Sequence, residues 1–314
     1  MLSRVADSLY WMSRYMERTD SILRMLKTNY ASSQDNRDEF TWRPVLEIFG
    51  GFEEEEEESI TKIENSGRQV LYYMVLDREN PNSVFNMVTQ SRENARGVQD
   101  NITKELWQSL NEFYHVVRED RLQYSLQYED PITVLDGLIK QCMIYYGVAD
   151  ITMFRGEGLS FMNIGKYLER VSQSAGILDI KFSDLSYDLD KATDTTYWKY
   201  LLQSVSGYAL YLKRYRSGFE ARNVIDQILF NVDFPRSILY SLNHLHRYTE
   251  RLRAEKNTEG FAQLDFQIGK LRTKVLYSDV QSVSRIGLHH YLTEITTDIS
   301  EIGVTLNKYY FAYS

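Results

Sequence analysis

Between residues 2 and 30 the chain has neither proline nor glycine, and a mostly apolar seam recurs at spacings that alternate between three and four: Leu2, Val5, Leu9, Met12, Met16, Thr19, Leu23, Leu26 and Tyr30. That alternation puts one residue per half-heptad on a single stripe, so the segment is expected to be a helix packed lengthwise against a neighbour. Only four prolines and sixteen glycines occur in 314 residues, and few segments carry the usual helix interruptions. The expected fold class is therefore all-α, a multi-helix bundle without significant sheet. At this length about three quarters of the unfolded surface can be buried.

Further helices follow from the same reasoning. Trp42-Arg43-Pro44 is expected to begin a short helix, because proline is tolerated in a first turn. Residues 59–76 read as one helix, and Asn80-Pro81-Asn82 breaks the chain before a helix starting at Ser83, with a seam at Val84, Val88, Ser91, Ala95 and Val98. A loop is expected at 32–38. Helices are also expected from Thr103 and Pro131, from Leu159 with a seam at Phe161, Ile164, Leu168, Val171, Ala175 and Leu178, and over 197–216, 224–230, 236–253, 260–277 and 280–313. The β-branched runs are short, and no low-complexity linker divides the chain, so a single helical domain over 1–314 is expected.

Several functions are argued against. Six consecutive glutamates at 53–58 account for most of the net charge of −8, and the run reads as a solvated loop or a first helical turn. No clean basic stripe exists at a pI of 5.3: Glu250 and Glu255 interrupt the cluster of Arg247, Arg251, Arg253 and Lys256, which argues against nucleic acid. Cys142 is the only cysteine and lies among Ile139, Met143 and Ile144; it reads as a core residue, and a reducing, cytoplasmic setting is expected. No window approaches the ~18 apolar residues of a membrane span. Glu112-Phe113-Tyr114-His115 is a lone Glu-x-x-His without the second pair a di-metal bundle needs, and His290 with Glu294 makes a surface pair, so no metal and no cofactor are expected. Gly156-Glu157-Gly158 is too short to cradle a phosphate. The tyrosines, twenty-four in all, suit borders of the core, where a ring is buried and its hydroxyl satisfied.

One constellation is chemically unusual. Ser13-Arg14-Tyr15-Met16-Glu17-Arg18 and Gly165-Lys166-Tyr167-Leu168-Glu169-Arg170 share the pattern small, basic, Tyr, apolar, Glu, Arg, and each glutamate follows a seam residue. Equal register in two distant helices is the mark of an internal duplication. A carboxylate at the border of a core survives only when paired. Arg14 and Lys166 lie three residues before the glutamates, spacing that permits intrahelical pairs of a few tenths of a kcal/mol. That is too little to offset desolvation, so further donors are expected from Ser91-Arg92-Glu93-Asn94-Ala95-Arg96, whose Arg92 and Arg96 stand one turn apart. The candidate polar centre comprises Arg14, Tyr15, Glu17, Arg18, Arg92, Glu93, Arg96, Lys166, Tyr167, Glu169 and Arg170. Three roles remain open for it: an ion-pair core that fixes structure, a pocket for an anionic or peptide-like ligand, or a catalytic site.

These same residues carry a resemblance to the bacterial Alpha-E family. The opening Met1-Leu2-Ser3-Arg4-Val5-Ala6-Asp7-Ser8-Leu9-Tyr10-Trp11-Met12-Ser13-Arg14-Tyr15-Met16-Glu17-Arg18 is similar to that family's first motif, the Ser91 to Arg96 string to its second, and the Gly165 to Arg170 string to its third. Phe234-Pro235-Arg236-Ser237 and Trp198-Lys199-Tyr200-Leu201-Leu202-Gln203-Ser204-Val205-Ser206 also fit. The 53–58 run has no counterpart, and Lys166 stands where the family usually has arginine, a point charge in place of a bidentate fork. The resemblance implies a companion of ATP-grasp ligases and transglutaminase-like proteins in systems that make or modify a peptide, and it implies no established reaction. The expected role is an accessory binding or scaffold subunit. The alternative is an enzyme or transferase working on an anionic or peptide-like substrate through the Glu/Arg centre.

Overall fold

A computed structural model describes residues 1–35, 41–50, 57–189, 195–216, 218–253 and 258–311. Among them are sixteen α-helices and no strand. None of these helices is long and apolar enough to cross a membrane. They group into two compact units, one of Tyr15–Met153 and one of Met1–Arg14 with Phe154–Ser314.

The first helix, α1 (Ser3–Asp35), opens in the second of these units and continues in the first. Its seam is buried from Val5 through Leu26, while Leu2 lies outside the helix and is 73% exposed. The helix runs on through residues 32–35, which the sequence assigned to a loop. In the unit of Tyr15–Met153 follow α2 (Arg43–Phe49), α3 (Glu57–Ile63), α4 (Gly67–Val75), α5 (Val84–Arg96), α6 (Lys104–Arg118), α7 (Asp120–Tyr128) and α8 (Pro131–Thr152). Of the six glutamates, those at 53–56 lie outside the described residues, and Glu57 and Glu58 open α3.

The second unit contains α9 (Glu157–Ser183), α10 (Thr195–Ser204), α11 (Tyr208–Arg214), α12 (Ala221–Leu229), α13 (Ile238–Glu250), α14 (Thr258–Leu276), α15 (Val280–Ile286) and α16 (Leu288–Leu306), the last continued by a π turn over Asn307–Phe311. Here α9 packs on α13, α13 on α14, α14 on α16 and α16 on α9, which closes a four-helix bundle. Its α9 seam is buried throughout, from Phe161 to Leu178.

The duplication extends beyond the motif. The interval from Gly67 to Ala221, the first residues of the nine-residue helices α4 and α12, equals that from Val84 to Ile238, the first residues of the thirteen-residue α5 and α13. The packing pairs α5–α6 and α6–α8 recur as α13–α14 and α14–α16. Ser83 and Ser237 cap α5 and α13, each accepting the backbone N–H three residues on, and each follows an X-Pro-X turn.

Three expected helices are broken, each by local chemistry. Residues 59–76 split because extended Ser66 caps α4 by accepting the Gln69 N–H. Residues 197–216 split at Ser206, whose φ of 57° ends the α-helical path. Residues 280–313 split at Gly287, whose φ of 92° suits only glycine. Helix α7 was not expected; extended Glu119 separates it from α6.

Candidate functional site

Arg14 is the centre of the polar core in the second unit. Its Nε donates to Glu169 Oε2 at 2.8 Å, its Nη2 approaches the same oxygen at 2.7 Å, and its Nη1 donates to the Tyr10 hydroxyl at 3.0 Å. The guanidinium also lies over the Trp11 ring, 4.8 Å from its centroid. Glu169 is 1% exposed and accepts Gln173 Nε2 through its other oxygen at 2.9 Å. Burial alone would weaken the positive charge of Arg14, but the Glu169 charge and the hydrogen bonds to Glu169 and Tyr10 outweigh it and hold its pKa above the ordinary arginine value. Burial likewise pushes the Tyr10 phenol up, so it stays protonated at neutral pH.

The intrahelical pair that spacing suggested for Arg14 and Glu17 is replaced by this tertiary one. Two helices bring it about. Gly165 of α9 faces the backbone of α1, where a Cβ at that position would come within 2.4 Å of the Tyr10 carbonyl oxygen. The small residue of the motif is thus what permits the approach that seats Arg14 on Glu169.

Glu17, in the other unit, is fully buried and accepts the Tyr146 hydroxyl at 2.6 Å. One turn on, Asp20 is 1% exposed and takes Arg24 Nε at 3.0 Å on both oxygens. Burial works to lower the Arg24 pKa, but Asp20 and, more weakly, Cys142 and Tyr146 raise it above normal. Cys142 is buried, as the sequence indicated.

Arg92 and Arg96, on α5, have partners of their own. Arg92 donates to Asn111 Oδ1 at 2.9 Å and Glu93 Oε1 at 2.7 Å and lies over the Tyr114 ring, and Arg96, 64% exposed, pairs with Glu93 Oε2 at 2.6 Å. The arginines expected to serve the two buried glutamates are engaged instead by Glu93 and Asn111. Ser91 and Ala95 are buried in the core, whereas half-buried Arg92 has Glu93 and Asn111 in reach and exposed Arg96 has Glu93.

The two motif arginines behave alike. Arg18 donates to Asn82 Oδ1 at 3.2 Å, immediately before the cap Ser83, and Arg170 donates to the Pro235 carbonyl at 3.0 Å, two residues before the cap Ser237. Each ties its helix to the turn that launches a capped helix, α5 or α13. Tyr167 is buried against Tyr240, His244 and Tyr248, with Lys166 4.5 Å from its ring centroid, while Tyr15 is half-buried on α1.

A cavity of about 520 Å³ opens beside Arg14, lined by Asp7, Tyr10 and Trp11 of α1, Leu168 and Ser172 of α9, and the C-terminal half of α16 with its π turn, from Thr296 to Phe311. Burial raises the Asp7 carboxyl above its ordinary value, and a Trp11 hydrogen bond opposes the rise. Sequence reasoning missed this wall. Asp7, Trp11 and Arg14 do fall on one helical face, but nothing local marks Ser300, Gly303 and Asn307 as its opposite side. Elsewhere, exposed Glu112 and His115 lie on the α6 surface, and Lys274 holds Glu294 at 2.8 Å while His290 stays 3.8 Å away.

A family model described as a predicted α-helical domain with a conserved ER motif matches residues 1–311. The chain belongs to the Alpha-E family. Two Glu-Arg pairs of this Alpha-E chain, Glu17-Arg18 and Glu169-Arg170, are those whose glutamates are buried and whose arginines tie down the capping turns. Similar curated proteins are the uncharacterized proteins Mb2597 of Mycobacterium bovis and MT2643 and Rv2567 of Mycobacterium tuberculosis, each 24% identical over 94% of this chain. The chain spans 35% of the length of those relatives. No solved structure matches it.

Proposed function

We propose that this chain is an accessory, non-catalytic helical subunit that binds a peptide-like ligand in the cavity beside Arg14, in a cytoplasmic bacterial system where an ATP-grasp ligase and a transglutaminase-like protein make or modify a peptide. The observation that carries the binding role is the saturation of Arg14. Its charge is already cancelled by Glu169, so the cavity offers no free cation there to an anionic substrate. What remains is Asp7, a set of amide and hydroxyl groups at Ser172, Thr296, Ser300 and Asn307, and apolar surface at Leu168, Ile299, Val304 and Phe311. That mixture suits amides, an amino group and aliphatic side chains, in a volume within the range of small-molecule sites.

A transferase working through the glutamates is less well supported, because Glu169 is enclosed, holds Arg14 and Gln173, and does not line the cavity. A general acid or base must reach the proton it moves.

The partner assignment rests on the family resemblance. Co-expression with the ATP-grasp and transglutaminase-like proteins of the same genome should yield a complex that co-elutes on size exclusion, and separate elution of both would overturn it. For the ligand, Trp11 fluorescence should respond saturably to short synthetic peptides. Gly303→Leu, which fills the cavity, should abolish the response; a response unchanged in that variant removes the cavity from the reading.

A further inference from the structure

Helices α13 and α14 pack together in the second unit, and away from the cavity they bring three potential ligands to one place. His246 and Glu250 stand one turn apart on α13, so both side chains leave the same face, and Asp265 meets them from α14. One ligand atom from each lies within 4.8 Å of the other two. None of the three lines the cavity, so the site is independent of the proposed peptide reading.

The contact between His246 and Asp265 is what separates this group from an ordinary surface cluster. His246 Nε2 stands 3.6 Å from Asp265 Oδ1, beyond hydrogen-bond range, and that oxygen is buried without a hydrogen-bond partner. A buried carboxylate oxygen is costly to leave unsatisfied, by roughly 1–3 kcal/mol, and a cation seated between it and the imidazole would satisfy it. The separation fits a metal between the two atoms. With bonds of about 2.1 Å to nitrogen and to oxygen, a near-tetrahedral angle places the donors about 3.4 Å apart.

The remaining terms agree. Two carboxylates supply the charge that balances a divalent ion, and one imidazole supplies a borderline-soft donor, a set that suits zinc and related transition ions better than magnesium or calcium. The side chains are 35–40% exposed, which leaves a path for the ion and a fourth position for water. The competing cation, Arg253, is 68% exposed and 3.6 Å from Glu250, a pairing weak enough for a metal to displace.

We propose that His246, Glu250 and Asp265 form a three-ligand site for a divalent transition-metal ion of the zinc class, bridging α13 and α14 with one coordination position open to solvent.

The test is equilibrium dialysis of the tag-free full chain against Zn²⁺, followed by Co²⁺ absorption to report coordination geometry. One equivalent should bind, with tetrahedral-type cobalt bands, and His246→Ala and Asp265→Asn should each weaken binding tenfold or more, to judge from the roughly 10–100-fold that even outer-shell changes cost. His290→Ala, at the separate His290–Glu294 pair, should bind as the parent does. Absence of stoichiometric Zn²⁺ binding by the parent would overturn the proposal. So would undiminished binding by folded His246→Ala, or loss of binding in His290→Ala.

Discussion

Arg14 and Glu169 join two helices that lie far apart in sequence, through two guanidinium nitrogens on one carboxylate oxygen at 2.8 and 2.7 Å. The carboxylate is 1% exposed, so the pair is a desolvated one whose members depend on each other. Removing one partner leaves a buried charge without compensation, whereas removing both leaves none. Arg14→Met should therefore destabilise the chain by about 3–5 kcal/mol, and Arg14→Met with Glu169→Leu by much less. Urea denaturation of the single and double variants checks this; equal losses in both would show that the pair contributes packing and not charge.

Two glycines on α9 should respond in opposite directions. A Cβ on Gly165 would meet the Tyr10 carbonyl oxygen at 2.4 Å, against backbone that cannot turn aside, while one on Gly176 meets nothing within 4 Å. Gly165→Ala should lose about 1–3 kcal/mol through overpacking. Gly176→Ala should gain up to about 1 kcal/mol from helix propensity. Thermal melts of the two variants decide it, and a stable Gly165→Ala would contradict the close approach.

The duplicated caps should carry comparable weight. Ser83 accepts the Asn86 N–H and Ser237 the Tyr240 N–H, and both hydroxyls are buried. Ser83→Ala and Ser237→Ala should each cost about 1–2 kcal/mol. Ser237 should be the costlier, since its hydroxyl also donates to the Asn231 carbonyl at 2.5 Å. Denaturant midpoints of the two variants test the order.

His244 should make stability sensitive to mild acid. It stacks on Tyr240 at 4.0 Å and lies tilted against Tyr167 at 4.9 Å; burial lowers its pKa below the usual 6.5, opposed by its hydrogen bond with the Tyr240 carbonyl and aided by the charges of Lys166, Arg247 and Arg170. The unfolded chain thus binds the proton more readily than the folded one. Stability from this residue is complete above the unfolded value and declines as pH falls through it toward the folded value. Between about pH 7.5 and 5.5 the urea midpoint of the parent should fall more than that of His244→Gln. Parallel falls would assign the sensitivity to other groups.

Periodic burial and the repeated motif were legible along the chain. The three-and-four seam buried Val5 through Leu26 and Phe161 through Leu178, serine and threonine caps began α5 and α6, and the shared string around Glu17 and Glu169 marked a duplication that the recurring helix pairs extend. Periodicity and capping act within a few residues, so their signals lie in the chain itself. Tertiary structure decided the partners. Arg14 turned from the nearby Glu17 to Glu169, Arg92 and Arg96 turned to Glu93, and α16 supplied a cavity wall no motif announced. The physical reason is that a desolvated carboxylate selects its donor by three-dimensional proximity, and that proximity is set by where a glycine such as Gly165 lets two backbones meet.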